Sequence, residues 1–329
     1  MNPFTYERVH EPELAIDSII KPGSSKFLAG GTNLIDLMKN GVERPDRLVD
    51  INRLNLATIE SLPDGGLRLG ALARNADTAN DPLVRQKYPL LSRSILSGAS
   101  PQLRNLATNG GNLLQRTRCP YFMDPGFAKC NKRDYGSGCG ALEGFNRSHA
   151  IFGASERCIA THPSDMCVAL AALEAKIRVR GRKGERTIPF ADFHRLPGET
   201  PQIDTTLQRD ELILSIDLPA SPYADHSHYL KVRDRASYEF ALVSVAVGLE
   251  LEEDQIRSAR IALGGVAHKP WRCDETERGL VGKKMSKELF EAAGEQAVSG
   301  ARTYQYNKFK VEMASRAVAQ ALSVAGGFA

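Results

Sequence analysis

Lys26-Phe-Leu-Ala-Gly-Gly-Thr-Asn-Leu34 is the stretch from which the fold is read. A short apolar run at 26–29 predicts a buried strand, Gly30 and Gly31 follow it, and a helical pattern runs over 33–40. Two glycines let a backbone turn sharply and approach a ligand closely. Successive N–H groups at such a turn form a concave nest, and the helix start adds positive potential. Both favour a pyrophosphate, and Thr32 and Asn33 add side-chain hydrogen bonds. The pattern is neither G-x-G-x-x-G nor G-x-x-x-x-G-K-[ST]. Alone, a Gly-Gly turn is more often only a turn.

A second stretch, Ala107-Thr-Asn-Gly-Gly-Asn-Leu113, repeats the chemistry. Two phosphate-compatible turns in one domain suit a dinucleotide, whose pyrophosphate needs several donors. His162-Pro-Ser-Asp165 sets a carboxylate at a helix start. It reads either as a helix cap or as a partner for a ribose hydroxyl.

Outward from these turns, strands are expected at 47–51, 67–71, 150–154, 175–180, 186–190 and 212–218. Helices are expected at 89–98 and 163–172, with proline at each start. Residues 101–113 read as a polar turn, and 116–149 lose all periodicity. So long an aperiodic stretch in a compact domain calls for a bound cofactor. Pro219, Pro222 and the polar residues up to His228 mark a boundary. Beyond it, strands are expected at 229–233, 241–252 and 256–263, then helices at 287–298 and 306–324. Strands followed by helices indicate an α+β domain.

The 329 residues suffice for two domains, or three small ones, with a large core. A net charge of +4, without basic runs, argues against nucleic acid. No stretch of 18 apolar residues predicts a membrane span. The start, MNPFTYERVHEPELAID, has no apolar signal region. The chain is therefore expected in the cytoplasm, or in the periplasm by export with a signal-bearing partner.

Five of six cysteines fall between 119 and 167, which scattered structural thiols would not do. Cys119, Cys130, Cys139 and Cys158 have 10, 8 and 18 residues between successive members. Structural zinc usually has a tight C-x₂₋₄-C knuckle, absent here. A [4Fe–4S] cluster accepts widely spaced ligands. Iron–sulfur, zinc and unligated thiols all stay open on spacing. Arg116, Arg118, Lys129, Lys132 and Arg133 are expected to offset thiolate charge, and Gly136 and Gly138 to relieve crowding beside Cys139. Cys167, on an apolar helix, reads as a core thiol, and Cys273 as a bystander.

Together these stretches resemble the FAD-binding subunits of the xanthine dehydrogenase and molybdenum hydroxylase family, over essentially the whole chain. Residues 29–33 look like that family's first FAD pyrophosphate loop, 107–113 like its second, and Ser164-Asp165 like its ribose-binding acid. Asp210-Glu-Leu-Ile-Leu-Ser215 and the strand ending at Lys231 match segments that approach the flavin, and 262–270 resembles the C-terminal domain. Gln115-Arg-Thr-Arg-Cys-Pro-Tyr-Phe122, Cys130-Asn-Lys-Arg and Glu143-Gly-Phe resemble the FAD subunits of bacterial periplasmic aldehyde oxidoreductases, which add a [4Fe–4S] cluster.

The resemblance implies a two-part FAD-binding domain of PCMH type over 1–222, with lobes of about 1–57 and 58–222 and an iron–sulfur insert of about 116–158. A C-terminal α+β domain of the CO dehydrogenase flavoprotein type follows over 223–329. It implies FAD contacts from Lys26, Phe27, Leu28, Ala29, Gly30, Gly31, Thr32, Asn33, Leu34, Thr108, Gly111, Asn112, Ser164, Asp165, Ile213 and Lys231. Cys119, Cys130, Cys139 and Cys158 are the implied cluster ligands.

It further implies a heterotrimer. A large partner holds the molybdenum cofactor and oxidises an aldehyde to a carboxylate, and a small partner holds two [2Fe–2S] clusters. Electrons reach FAD here and leave to an external acceptor, with no catalytic side chain on this chain. The acceptor is expected not to be NAD, since no nicotinamide fingerprint is present. A hydroxybenzoyl-CoA-reductase-like flavin subunit is the rival within the enzyme class. A zinc-stabilised, non-catalytic interaction module is the rival outside it.

Overall fold

The computed structural model describes residues 1–328. Three sheets organise them. β1 (Thr5–Arg8), β2 (Ser25–Leu28) and β3 (Arg47–Asp50) form a small parallel sheet in the order β1-β3-β2. Parallel neighbours need crossover connections. The helices Pro12–Ile19 and Leu34–Lys39 supply them. Pro12 opens the first helix, and Ala15, Ile16 and Ile19 bury one face against Val49 and Ile51.

The second sheet is antiparallel, β4-β5-β8-β6-β7, from β4 (Ile59–Ser61), β5 (Leu67–Gly70), β6 (Lys176–Gly181), β7 (Gly184–Pro189) and β8 (Leu212–Leu218). The long excursion between β5 and β6 carries most of the helices of this part. Pro82–Lys87 and Pro89–Ser97 each start at proline, and Asp165–Ala172 is buried along its whole length. An all-round apolar helix must sit between layers. This one packs in the core with Leu67, Leu69, Ile177 and Ile216, and also with Ala246 and Ala262 of the third sheet.

The third sheet is antiparallel, β12-β11-β10-β9, from β9 (Ser227–Val232), β10 (Val243–Glu252), β11 (Gln255–Gly264) and β12 (Trp271–Arg272). Its two faces follow the period of two in β10. Val243, Val245, Val247 and Leu249 pack with Phe290, Ala314, Val318 and Leu322 of the helices Lys287–Ala297 and Phe309–Ala325. Ala246 faces the other way, toward the Asp165–Ala172 helix. A Cβ on Gly264 would stand 2.5 Å from Val168 Cγ2, so a larger residue there would push this helix off the sheet.

Several expectations need correction. Residues 150–154 are not a strand: Ile151 and Phe152 both donate to Val266 O, and Gly153 turns with φ +58. A positive φ breaks the extended run that a ladder requires. Residues 101–113 are two short helices, Pro101–Arg104 and Asn109–Leu113, each capped by a hydroxyl, Ser100 and Thr108. The aperiodic stretch holds two helical turns, Pro120–Met123 and Gly140–Glu143. Ser164 caps the helix expected from 163, accepting from Cys167 N at 3.0 Å, which leaves Asp165 as its first residue. Sequence reading also missed β1, β4 and β12, and the helices Pro12–Ile19, Asn75–Asn80, Pro82–Lys87 and Asp274–Leu280.

Candidate functional site

The two Gly-Gly stretches meet. A Cβ on Gly30 would lie 2.0 Å from Leu106 O and 3.2 Å from Ala107 Cα, so only a hydrogen lets the loops close on each other. Gly31 follows at φ +73. Asn52 Nδ2 donates to Ala29 O at 3.0 Å, and Asn109, fully buried, ties the second loop to Thr78 and Asn75. Turn and helix start are thus held by paired polar groups, and in the second loop Asn109 N, Gly110 N and Gly111 N are themselves bonded, to Ala73 O, Ala71 O and Thr108 Oγ1.

Against this junction lies a cavity of about 500 Å³. That is within the usual range for small-molecule and cofactor sites. Of the expected flavin contacts, Lys26, Phe27, Ala29, Gly30, Gly31, Thr32, Asn33, Leu34, Thr108, Gly111 and Ile213 line it. Leu28, Asn112, Ser164, Asp165 and Lys231 do not.

Leu28 is absent although Lys26, on the same face of β2, lines the cavity. The other four have a physical reason. Asn112 spends its amide on Asn75 Oδ1 at 2.7 Å and on accepting from Ser164 and Gln115. Asp165 accepts from Tyr229 Oη at 2.6 Å and from Lys231 Nζ at 2.8 Å, and Lys231 also donates to Ser97 O. Ser164 instead lines a second cavity of about 190 Å³, together with Cys119, His149 and the segment Glu239–Leu242. His162 lines both cavities.

Glu43, Arg116, His162, His194, Asp204 and His268 are not expected at the flavin site from sequence, yet all line the larger cavity; Arg116 reads instead as a cation for the thiolates. Only His162 had a local signal, in His-Pro-Ser-Asp; the others come together through tertiary structure. Arg116 bridges Glu43 and Asp204, and Asp204 also pairs with the buried Lys132. Lys132 Nζ further donates to His268 Nε2 at 2.7 Å, and His268 Nδ1 donates to Arg195 O. Burial opposes ionisation of Asp204, yet Lys132 and Arg116 hold its carboxyl far below the usual range. Burial, with Lys132 beside it, pushes His268 down to about 4.

The cavity tests well for a polar ligand. Asn33 Nδ2, His162 Nε2 and His194 Nδ1, on three lining residues, are buried without a partner. Unpaired buried polar atoms are rare and point to a missing ligand or water. His194 Nε2 bonds Leu113 O at 2.8 Å, which leaves Nδ1 as an acceptor. His162, His194 and Cys167 also bring one donor atom each to within 4.8 Å of one another, the one group among the described residues compact enough for a single ion.

The cysteine region folds against the Leu34–Lys39 helix. Cys130 and Cys139 face each other across an antiparallel bridge, closed by Gly140 N to Lys129 O at 2.8 Å. Asn131 Nδ2 reaches Arg157 O at 3.0 Å and so ties the Cys130 loop to that of Cys158. Cys119 and Cys130 share a small apolar cluster with Leu37 and Phe122. Backbone amides of Phe122 and Tyr121 point at the Cys119 sulfur, those of Ala141, Ile159 and Leu142 at Cys139, and that of Ala160 at Cys158. Burial pushes the Cys119 thiol up to about 12, and the nearby Cys158 and Cys130 add to the shift.

Cys167 is fully buried in the core with Ser164 as its polar neighbour, and Cys273 is also buried. Of two expectations about this region, one is met only in part and one fails. Arg116 and Arg118 are spent on the carboxylates Glu43, Asp36 and Asp204, and Arg133 caps the carbonyls of Tyr121, Phe122 and Phe127. Lys132 pairs with Asp204 but also acts on Cys158, where burial raises the thiol and the Lys132 charge opposes that rise. Gly136 and Gly138 relieve no crowding, since a Cβ on either would meet nothing closer than 3.8 Å; they supply the positive φ of the turn, +92 and +95.

Two pyrophosphate-compatible turns closing on one another, at a cleft between a parallel lobe and an antiparallel sheet, define a dinucleotide-binding flavoprotein module. Residues 2–221 match the FAD binding domain in molybdopterin dehydrogenase, and residues 228–323 the CO dehydrogenase flavoprotein C-terminal domain. The chain is 50% identical to the aldehyde oxidoreductase FAD-binding subunit PaoB of Escherichia coli, covering 99% of both chains. It is 29% identical to the glyceraldehyde dehydrogenase medium chain of Sulfolobus acidocaldarius, over 87% of this chain and 84% of that one. Among solved structures, carbon monoxide dehydrogenase from Hydrogenophaga pseudoflava superposes with a TM-score of 0.78 at 26% identity, over 99% of this chain and 98% of that one. This chain therefore belongs to the family of FAD-binding medium subunits of the molybdenum hydroxylases, which are oxidoreductases. No helix among the described residues is long and apolar enough to cross a membrane.

Proposed function

We propose that this chain is the FAD- and [4Fe–4S]-containing electron-transfer subunit of a molybdenum-dependent aldehyde oxidoreductase. The observation that carries the reading is the closure of the two Gly-Gly loops over a cavity with three unpartnered buried polar atoms. Likeness at 50% identity to an aldehyde oxidoreductase FAD-binding subunit supports the reaction class. Its partners are a large subunit with the molybdenum cofactor and a small subunit with two [2Fe–2S] clusters, in a heterotrimer. It works in the periplasm after export with a signal-bearing partner, or in the cytoplasm.

In that assembly an aldehyde and water give a carboxylate, two electrons and their protons on the large subunit. When bound here, FAD accepts those two electrons and hands them to an external acceptor other than NAD. The chain's own residues bind, orient and exclude water. Backbone amides around Gly30 and Gly31 hold the pyrophosphate, helped by Thr32, while Gly111, whose own amide donates to Thr108 Oγ1, lets the second loop approach it closely. Asn33 donates to it through its free Nδ2. Ile213 and Phe27 supply apolar contact from β8 and β2. Asp165 and Lys231, bound to each other, support the Ser164 turn rather than touching the cavity.

Cys119, Cys130, Cys139 and Cys158 suit a cube. Their loops are tied together, and three of the four sulfurs face backbone N–H donors. Such donors stabilise thiolate ligands and tune the potential of an iron–sulfur cluster. No three of these sulfurs form a group compact enough for one ion, which disfavours mononuclear zinc.

Flavin, iron and acid-labile sulfide analysis of the purified complex, with its visible spectrum, tests both cofactors. A colourless, zinc-containing protein would refute the reading. Oxidation assays with aldehydes against aromatic acyl-CoA esters test the reaction.

A further inference from the structure

His149 and Lys310 are buried, polar and unused by the function described so far. His149 is 2% exposed, and its Nε2 lies 3.1 Å from Cys119 Sγ. Lys310, in the last helix, is 0% exposed. Among the described residues it pairs with no carboxylate. Its Nζ donates to His149 O at 3.0 Å, Ser148 O at 3.3 Å and Gly265 O. Asn307 Nδ2 adds a bond to His149 O at 3.3 Å and to Ala150 O at 3.1 Å. A buried cation without an anion is costly, so its place requires compensation elsewhere.

We propose that His149, held from behind by Lys310 and Asn307, is a positioning residue that donates its Nε2–H to the Cys119 thiolate and raises the reduction potential of the iron–sulfur cluster. The inference rests on the cluster reading above.

The chemistry fixes the direction of the bond. A thiolate ligand has no proton and only accepts. The 3.1 Å contact is then an N–H···S⁻ bond, with the ring's Nδ1 left as a lone pair, which has no partner here. A bare acceptor is tolerated better than a bare N–H. Backbone amides of Phe122 and Tyr121 already face the same sulfur, so His149 adds a further, side-chain donor.

Hydrogen bonds to cluster sulfurs and nearby positive charge both withdraw density, which favours the reduced cluster. Lys310 lies behind His149 and holds its carbonyl; burial pushes its ammonium down to about 7, so the Nε2–H···S bond carries the effect. The anchor is the C-terminal domain: Asn307 and Lys310 flank the start of the Phe309–Ala325 helix. Docking of that domain therefore sets where the ring points.

The test is a potentiometric titration of the intact complex, followed by electron paramagnetic resonance of the reduced cluster. His149→Phe keeps a ring and loses the donor; His149→Gln restores a donor. His149→Phe should retain iron, sulfide and FAD while reduction becomes about tenfold less favourable, about 59 mV for one electron. His149→Gln should recover most of that shift. An unchanged potential in His149→Phe at full iron content overturns the proposal. So does iron loss in both variants, which assigns His149 a structural role alone. Wild-type complex with FAD but no iron or sulfide refutes the cluster reading itself, which keeps the two failures distinct.

Discussion

Lys231 donates to Asp165 at 2.8 Å, and the two side chains are 4% and 7% exposed. The pair joins β9 to the first residue of the Asp165–Ala172 helix, and Tyr229 donates to the other carboxylate oxygen. Burial and the adjacent Asp165 hold the Tyr229 phenol well above its usual value, so it stays a donor. Removing one member of a buried pair strands a charge. Lys231→Met should destabilise the protein by about 3–5 kcal/mol. The double variant Lys231→Met, Asp165→Asn should recover part of that loss. Urea unfolding of the three proteins measures this, and equal stability of Lys231→Met and wild type would contradict it.

The glycines of the two loops should respond differently. Gly30 has no room at all, since even an alanine Cβ would meet Leu106 O. Gly30→Ala and Gly30→Val should both part the loops and yield misfolded or insoluble protein. Gly111 meets only Thr108 Oγ1, at 3.0 Å. Gly111→Val should fold and carry less than a tenth of the wild-type flavin. Absorbance at the flavin band, with circular dichroism as the folding control, separates the cases. Full flavin occupancy in Gly111→Val would remove that loop from the site.

Cysteine substitution should divide the chain sharply. Single changes of Cys119, Cys130, Cys139 or Cys158 to Ser should each lower iron and sulfide content. Cys167→Ala should leave both intact, because its sulfur packs in the apolar core. Iron analysis across the set decides the ligands. A normal cluster in Cys158→Ser, with loss in Cys167→Ala, would reverse the assignment of the fourth ligand.

Acid should weaken the cavity wall before it titrates most carboxylates. His268 accepts from Lys132 through Nε2, so its neutral form fits and its cation does not. Burial and then Lys132 lower its folded value to about 4, below that of an unfolded histidine near 6.5. The unfolded chain therefore binds more protons between those values. The associated stability is present above about pH 6.5 and is lost as pH falls toward 4, by an amount on the order of 3 kcal/mol. His268→Asn should reduce the pH dependence of urea stability across that window without abolishing it, because burial lowers His149 and His194 to about 4 as well. A slope identical to wild type would show that His268 does not carry it.

Much of this was legible in the residues because it is local. The β8 strand was read at 212–218, where an apolar run bounded by Asp210-Glu211 and Pro219 specifies it. The strand–Gly-Gly–helix unit at 26–40 needed only neighbours in sequence to be seen. The same holds for Cys167, whose apolar helix announced a core position. The family, and with it the flavin, followed from such local strings.

What the tertiary structure alone decided involves residues far apart in the chain. The expected strand at 150–154 is held by Val266, more than a hundred residues away, and so bends instead. Arg116, Arg118 and Lys132 of the cysteine region pair with Glu43, Asp36 and Asp204, none of them adjacent in sequence. Asp165 and Lys231 turned to each other and not to the cavity, because a buried carboxylate takes the nearest cation that packing supplies. Gly30 looked like a ligand-facing turn and is, in addition, the contact point of two loops about eighty residues apart. Periodicity and turn chemistry are written within a few residues; the choice of electrostatic partners is made only when distant segments are desolvated together.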